Sequence, residues 1–294
     1  MENLIQAQHL KFSYGKAKVL KNINFTIHSG EIVGLIGENG AGKTTLINIL
    51  LGLYPAAGKL TVFGKQPGSK FSKAQIGYMR QNDMIIPNIT VQELLKEVAI
   101  YYSNPLNASD LMSQLQLSQI ARERLTNLSG GQLRQVTFAV ALVSHPNLLF
   151  LDEPTVGMDV NARQNFWQQI ERLKQQGKTI IITSHYLNEI QDVADRILLL
   201  KSGSLIFQGT FNELQRKHQH VEITFQTDQS SEMFTSLPGV VTSVLEDELI
   251  HLKSTDGDAT LYGLTANFTG LHQITVTHES LETIFMQLTK KEAK

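Results

Sequence analysis

The sequence has no cysteine, no excess of charge of one sign and no long apolar run. Without cysteine there is neither a disulfide framework nor thiol chemistry, which is compatible with a reducing cytosol. The 26 basic and 27 acidic residues give a net charge of −1. That balance argues against the broad basic field of a dedicated nucleic-acid-binding protein. We therefore expect no nucleic-acid partner.

The absence of a long apolar run also bears on membranes. A membrane helix needs roughly 18 apolar residues, and the longest apolar clusters here are short, as at residues 197–200. Residues 1–9 lack the basic start and apolar stretch of a signal peptide. Any role at a membrane is therefore expected to depend on a partner chain.

What the sequence does contain is an alternation of short apolar segments with longer amphipathic or polar ones. The apolar segments predict strands at residues 4–12, 23–27, 32–36, 148–151 and 179–183. The other segments predict helices at residues 43–53, from Thr90 onward, at 132–144 and at 160–176. This order predicts an α/β fold with a mostly parallel sheet that is covered on both faces.

The pattern changes near residue 215, in a polar stretch that ends at His220. Beyond it we predict, in chain order, a strand, a short helix, two strands, a helix, a strand and a final helix, at residues 221–227, 230–236, 240–246, 249–254, 258–268, 272–277 and 280–289. The order βαββαβ suggests a small split-βαβ domain of α+β class. We predict two domains, residues 1–214 and residues 215–294.

Residues 37–44 match the pattern G-x-x-x-x-G-K-[ST] between a predicted strand and a predicted helix. Glycines let backbone N–H groups turn inward around phosphate oxygens, and the helix start favours the same anion. Lys43 would reach the β- and γ-phosphates and Thr44 would ligate Mg²⁺. This phosphate loop predicts ATP and Mg²⁺ as ligands, with nucleotide contacts from Gly37, Glu38, Asn39, Gly40, Ala41, Gly42, Lys43, Thr44 and Thr45.

Two carboxylates, Asp152 and Glu153, end the apolar strand at residues 148–151. In a parallel sheet the carboxyl ends of the strands border the ligand crevice. Asp152 suits a magnesium site through water, and Glu153 suits the base that orients and polarises the attacking water. A helix-capping role is the alternative for this pair, and the phosphate loop favours catalysis.

A second anion site is predicted at residues 128–132, Leu-Ser-Gly-Gly-Gln, where another helix begins. One nucleotide cannot easily use two helix starts in a small fold, whereas a head-to-tail pair of chains can share them. With these motifs in this order, residues 3–214 resemble an ATP-binding cassette (ABC) ATPase. The resemblance implies a P-loop cassette with an antiparallel β subdomain and a helical subdomain. It also implies a dimer in which four residues cap the ATP of the opposite subunit: Ser129, Gly130, Gly131 and Gln132.

The resemblance assigns further residues. Tyr14 corresponds to the aromatic residue that stacks on adenine, with a structural strand-end tyrosine as the alternative. Gln81 corresponds to the glutamine that touches Mg²⁺ and the attacking water. Asp159 belongs to a loop, residues 156–159, that crosses the dimer interface. His185 corresponds to the histidine that contacts the γ-phosphate; a structural histidine is the alternative.

Three functions fit these features. The resemblance implies the ATPase subunit of a membrane transporter, a homodimer or a heterodimer with a related cassette, held at the cytoplasmic membrane face by an integral membrane permease. Residues 82–97 resemble the segment that receives a coupling helix, and residues 279–289 resemble the ending of ABC-2 type exporter cassettes, which favours export. A soluble cassette acting on ribosomes, DNA or iron–sulfur assembly is the alternative, disfavoured by the single cassette and near-neutral charge. Glu153 argues against a third reading, an ATP-gated dimerisation switch without hydrolysis.

Overall fold

The computed structural model describes residues 2–81, 86–184, 187–217, 220–278 and 281–290. The chain divides into two compact units, Met1–Gly209 and Thr210–Lys294. The division falls five residues before the predicted boundary at 214, because the helix Phe211–Lys217 belongs to the second unit.

Three strands of the first unit form an antiparallel sheet in the order β2-β1-β4. They are β1 (Asn3–Tyr14), β2 (Ala17–His28) and β4 (Ala57–Val62). Gly15, with φ 58°, supplies the left-handed backbone of the tight turn between β1 and β2. The strands predicted at 4–12 and 23–27 are therefore present, and both are longer than predicted because this turn pairs them almost end to end.

A six-stranded sheet in the order β5-β6-β7-β3-β8-β9 forms the centre of the first unit. Its strands are β3 (Ile32–Gly37), β5 (Ile76–Met79), β6 (Leu148–Asp152), β7 (Thr179–Thr183), β8 (Arg196–Lys201) and β9 (Ser204–Gly209). All neighbouring strands are parallel except β8 and β9. The predicted mostly parallel sheet is confirmed.

The first unit also contains seven α-helices in its described part. They are α1 (Lys43–Leu50), α2 (Lys70–Ala74), α3 (Val91–Ala99), α4 (Ala108–Gln114), α5 (Gly130–Leu142), α6 (Val160–Gln175) and α7 (Leu187–Val193). The predicted helix start at Thr90 is confirmed as a capping box with Glu93. Helix α1 ends three residues before the predicted Leu53, because Gly52 adopts a left-handed φ of 73°.

Alternate residues of the central strands pack on opposite faces of the sheet. On β6, Leu149 and Leu151 join a core with α3 to α6, while Leu148 and Phe150 join a second core with β1, β2 and α1. All four side chains are at most 2% exposed. This two-sided burial explains why β6 is continuously apolar.

The second unit contains an antiparallel sheet in the order β11-β12-β10-β13. The α-helices and strands of this unit are α8 (Phe211–Lys217), β10 (Val221–Gln226), β11 (Val240–Glu246), β12 (Leu249–Ser254), α9 (Gly257–Asn267), β13 (His272–His278) and α10 (Leu281–Lys290). Strand β12 lies between β10 and β11, as in a split-βαβ unit. The helix predicted at 230–236 is only a 3₁₀ segment, Ser231–Phe234, whose Phe234 is buried in the core of this unit.

No helix in the described ranges has both the length and the apolar character needed to cross a bilayer.

Candidate functional site

The phosphate loop connects the carboxyl end of β3 to the start of α1. Gly42 has φ 110°, and a Cβ atom there would lie 2.8 Å from Leu20 Cδ2. A Cβ atom on Gly37 would collide with the main-chain oxygen of Leu200. Backbone conformation therefore restricts position 42 to glycine, and lack of space restricts position 37.

Lys43 folds back over this loop. Its Nζ atom donates to the main-chain oxygens of Gly37, at 2.6 Å, and Glu38, at 3.2 Å. Burial lowers the pKa of Lys43, and the negative charges of Glu153 and Asp152 act in the opposite direction. The ammonium group is thus partly desolvated and bound by neutral carbonyls, so phosphate oxygens would be stronger partners for it.

The phosphate loop borders a cavity of about 310 Å³. The cavity is lined by residues from the loop, from β2 and from the ends of β5 and β6: Val19, Glu38, Asn39, Gly40, Gly42, Lys43, Thr44, Thr45, Gln81, Asp152 and Glu153. Most of the residues predicted from the phosphate loop, and the three predicted partners after β5 and β6, therefore share one cavity. Gly37 and Ala41 belong to the same loop but are not among the described residues that line the cavity.

Thr183, which ends the neighbouring strand β7, binds the carboxylate of Asp152 and the main chain of Glu153. Asp152 accepts a hydrogen bond of 2.6 Å from Thr183 Oγ1, and the main-chain N–H of Glu153 donates to the same oxygen at 3.0 Å. Glu153 is 3% exposed and has a left-handed φ of 52°. A non-glycine residue in this conformation costs about 1–3 kcal/mol, and such strain clusters at functional sites. Reasoning from sequence missed Thr183, although its place at the end of a buried strand is a usable signal.

Arg134 is the second residue that the sequence analysis missed. Its guanidinium is buried within the first unit, where Arg134 is 2% exposed. It donates to main-chain oxygens of two segments that follow strands: Arg80, Gln81, Asp152, Glu153 and Pro154. Arg134 thereby joins α5 to the residues that carry Gln81 and Glu153. No local pattern reveals this, because the partners lie 18 to 54 positions away.

The predicted second anion site lies at the start of α5. Ser129 Oγ accepts from the Gln132 N–H at 3.2 Å, and Gln132 Oε1 accepts from the Ser129 N–H at 2.9 Å, so the two form a capping box. Ser129 and Gly130 are exposed. These residues are absent from the described lining of the phosphate-loop cavity.

Asp159 begins the next helix, α6, where its Oδ1 accepts from the Ala162 N–H at 2.8 Å. The loop before it approaches the start of α5, since a Cβ atom on Gly131 would lie 3.6 Å from the Gly157 oxygen. Asp159 is also absent from the described cavity lining. The predicted interface loop and the start of α5 are therefore neighbours on this chain.

Tyr14 belongs to an aromatic cluster at the end of β1. Its ring packs edge-on against Phe12 and Tyr54, at centroid distances of 4.8 and 5.8 Å. It remains 49% exposed. An exposed face supported by two rings is compatible with stacking on a base. His185 lies outside the described residues.

The cavity residues fit a magnesium ion that arrives with a nucleotide. Within the described ranges, no group of three or more His, Asp or Glu side chains could hold a metal ion. Magnesium bound with phosphates needs only one or two protein oxygens besides water. The Thr44 hydroxyl, the Gln81 amide oxygen and the Asp152 carboxylate line the same cavity and provide such oxygens.

Comparison with known proteins identifies relatives by sequence. The ABC transporter family model matches residues 20–156. The linearmycin resistance ATP-binding protein LnrL of Bacillus subtilis is 35% identical over 72% of this chain and 70% of that protein. The Nod factor export ATP-binding protein I of Rhizobium sp. is 37% identical over 71% of each chain. The protein of the same name from Burkholderia orbicola is 32% identical over 98% of this chain and 97% of that protein.

Comparison with solved structures identifies the same kind of protein, ATP-binding cassettes. The ATP-binding subunit of an ABC transporter has a TM-score of 0.67 and 25% identity, over 73% of this chain and 93% of that one. A dimeric ATP-binding cassette in a post-hydrolysis state, bound to ADP and Pi, has a TM-score of 0.63 over 70% of this chain and 98% of that one. Because its sequence identity is 24%, this similarity supports the fold alone. The predicted P-loop cassette fold is confirmed, and a cassette unconnected with transport is not favoured. The chain belongs to the ABC transporter ATP-binding proteins, the ATP-binding and ATP-hydrolysing subunits of these transporters.

Proposed function

We propose that this chain drives export through a separate membrane permease by closing as a dimer over two ATP molecules. The main observation in support is that the two predicted parts of the ATP site, the phosphate-loop cavity and the start of α5, are separate within one chain. The phosphate-loop cavity contains Lys43 and Glu153, while the exposed start of α5 at Ser129 contributes nothing to its described lining. A second copy of the chain, placed head to tail, would supply Ser129 to Gln132 in trans.

Within each cavity the residues have distinct roles. The amides of the phosphate loop and Lys43 bind the phosphates, and Tyr14 stacks on adenine. A Mg²⁺ ion held by Thr44, Gln81 and Asp152 would neutralise phosphate charge. Glu153 accepts a proton from the water that attacks the γ-phosphorus, the bond from that phosphorus to the bridging oxygen breaks, and ADP and phosphate leave. His185 contacts the γ-phosphate on the basis of the family resemblance alone.

Export is supported by the relatives, two of which are named as Nod factor export proteins. The segment at 279–289 resembles exporter cassette endings, which favours the same direction. We assign residues 1–209 as the nucleotide-binding domain and residues 210–294 as an accessory domain. In a homodimer both sites would be equivalent, and Asp159 would lie at the interface. The permease would contact residues 82–97 and hold the chain at the cytoplasmic face of the membrane.

The test combines hydrolysis with membrane association. Glu153→Gln is expected to reduce turnover by about 10²–10⁴-fold, as for loss of a general base, while ATP-bound dimers accumulate on a sizing column. Glu171→Gln, an exposed change of the same chemistry on α6, is the matched control. Washed membranes of the source cells should retain the chain, and an alkaline wash should release it.

Full turnover by Glu153→Gln would remove Glu153 from the role of base. Recovery of the chain exclusively in the soluble fraction, with normal ATPase activity, would instead contradict coupling to a permease. The two parts of the proposal therefore fail separately.

A further inference from the structure

A second cavity of the first unit lies at the sheet edge opposite the phosphate loop. It is bordered by Pro146 and Leu149 at the start of β6 and by Lys178 just before β7. Asp152 is at the other end of β6, and a five-residue strand spans about 16 Å. We call this cavity the Lys178 pocket, and it is separate from the nucleotide site.

The Lys178 pocket has a volume of about 460 Å³, within the range of about 300–1,000 Å³ that small-molecule sites occupy. Its walls come from three helices, α4, α5 and α6, as well as from β6 and the adjoining loops. Six of its lining residues are apolar: Leu106, Leu111, Leu142, Pro146, Leu149 and Leu173. A ligand of this pocket must therefore have an apolar portion.

The titratable side chains that line the pocket, His145 and Lys178, are both basic. Its remaining lining residues are Gln114, His145, Gln176 and Lys178, with no carboxylate among them. Lys178 Nζ donates to the neutral amide oxygen of Asn147 at 3.3 Å. Across the described residues, no ion pair involves Lys178.

The surroundings make the lysine charge poorly compensated. Burial lowers the pKa of Lys178. Burial and the nearby charge of Lys178 both lower the pKa of His145. An anion placed between these two groups would compensate the charge, a cation would be repelled, and a neutral ligand would change nothing.

We propose that the Lys178 pocket binds a small amphiphilic carboxylate, whose apolar chain lies against the leucines and whose carboxylate pairs with Lys178 and hydrogen-bonds to His145. A single lysine in a lining that also contains two glutamine amides matches one carboxylate. Phosphate sites more often combine several basic side chains with a helix start, and the pocket lining has neither.

The experiment measures binding of octanoate and octanamide to the full chain by calorimetry. The two probes share one chain length and differ in the charge of the head group. Octanoate is expected to bind at one site about tenfold or more tightly than octanamide, as for a charge-assisted hydrogen bond. Equal affinity for the two probes, or several weak octanoate sites, would overturn the proposal.

Variants then locate the site. Lys178→Met and Lys178→Gln should abolish the preference for octanoate. Lys174 lies on α6, pairs with Asp195 and does not line the pocket. Lys174→Met removes the same charge as the Lys178 variants but should keep the preference for octanoate. Leu106→Trp should weaken both probes by filling the pocket. Each variant's folding is checked by the increase in Tm that ATP produces, and an unchanged preference in folded Lys178→Gln would refute the assignment.

Discussion

Replacing Arg134 with methionine would remove a buried guanidinium while keeping an apolar chain of similar length. The wild-type group donates to five main-chain oxygens at Arg80, Gln81, Asp152, Glu153 and Pro154. Because Arg134 is 2% exposed, water cannot readily replace these hydrogen bonds without the core opening. The variant would therefore leave several buried carbonyl groups short of a donor.

The magnitude follows from that loss. A hydrogen bond to a charged group contributes about 1.5–3 kcal/mol, but five bonds to one group are not additive. A buried acceptor left without a donor costs about 1–3 kcal/mol, so we take about 3–5 kcal/mol in total for the loss of this group. For a unit of this size each kcal/mol lowers Tm by about 2–4 °C, which predicts a decrease of about 6–20 °C.

Thermal unfolding followed by circular dichroism measures this decrease. At a temperature where the variant is folded, turnover should fall about 10²-fold, as for a small displacement of catalytic groups. Binding of ATP to dilute monomer should persist, because these five hydrogen bonds are made to the segments at the ends of β5 and β6 and not to the phosphate loop. Arg134→Lys should give intermediate values, since lysine has three donors in place of five.

Arg172→Met on the exposed face of α6 is the control for loss of one positive charge. If Arg134→Met unfolds within about 2 °C of the wild type, the hydrogen bonds are not what holds these segments, and the reasoning is refuted. A loss of ATP binding by the monomer as large as the loss of turnover would likewise show that Arg134 acts on the whole fold.

Two further predictions concern the dimer and the division of the chain. Ser129→Ala, which removes the cap of α5 at a cost of about 1 kcal/mol, should reduce ATPase activity while the monomer keeps its ATP affinity; an equal loss in dilute monomer would contradict action in trans. A chain ending at Gly209 should remain folded, with ATP still raising its Tm, because this unit has its own cores; an insoluble product would mean that the two units do not fold separately.

Local sequence was sufficient for much of the cassette. The phosphate loop was predictable because its glycine positions and the following lysine depend on neighbouring backbone alone. The capping box predicted at Thr90 spans four residues and is confirmed. Ser129, predicted only as part of a helix start, forms a second capping box. Strand β6 was recognisable because burial on both faces leaves no polar residue before Asp152.

What sequence could not provide depends on contacts between distant segments. Thr183 binds Asp152 only because β6 and β7 are parallel neighbours with these residues in register. The buried role of Arg134 needs the close approach of α5 to the ends of β5 and β6. A single sequence marks an arginine after a helix start as exposed, since arginine is rarely buried without partners.

These long-range contacts change how the two predicted anion sites relate. Ser129 caps α5, and Arg134 lies five residues further along the same helix. The guanidinium holds the main chain of Glu153, whose left-handed φ of 52° requires such support. In the proposed dimer, Ser129 would face the ATP of one chain while Arg134 positions the base of the other. One continuous helix would then connect the two ATP sites, so that closure on either nucleotide bears directly on the geometry of the opposite Glu153.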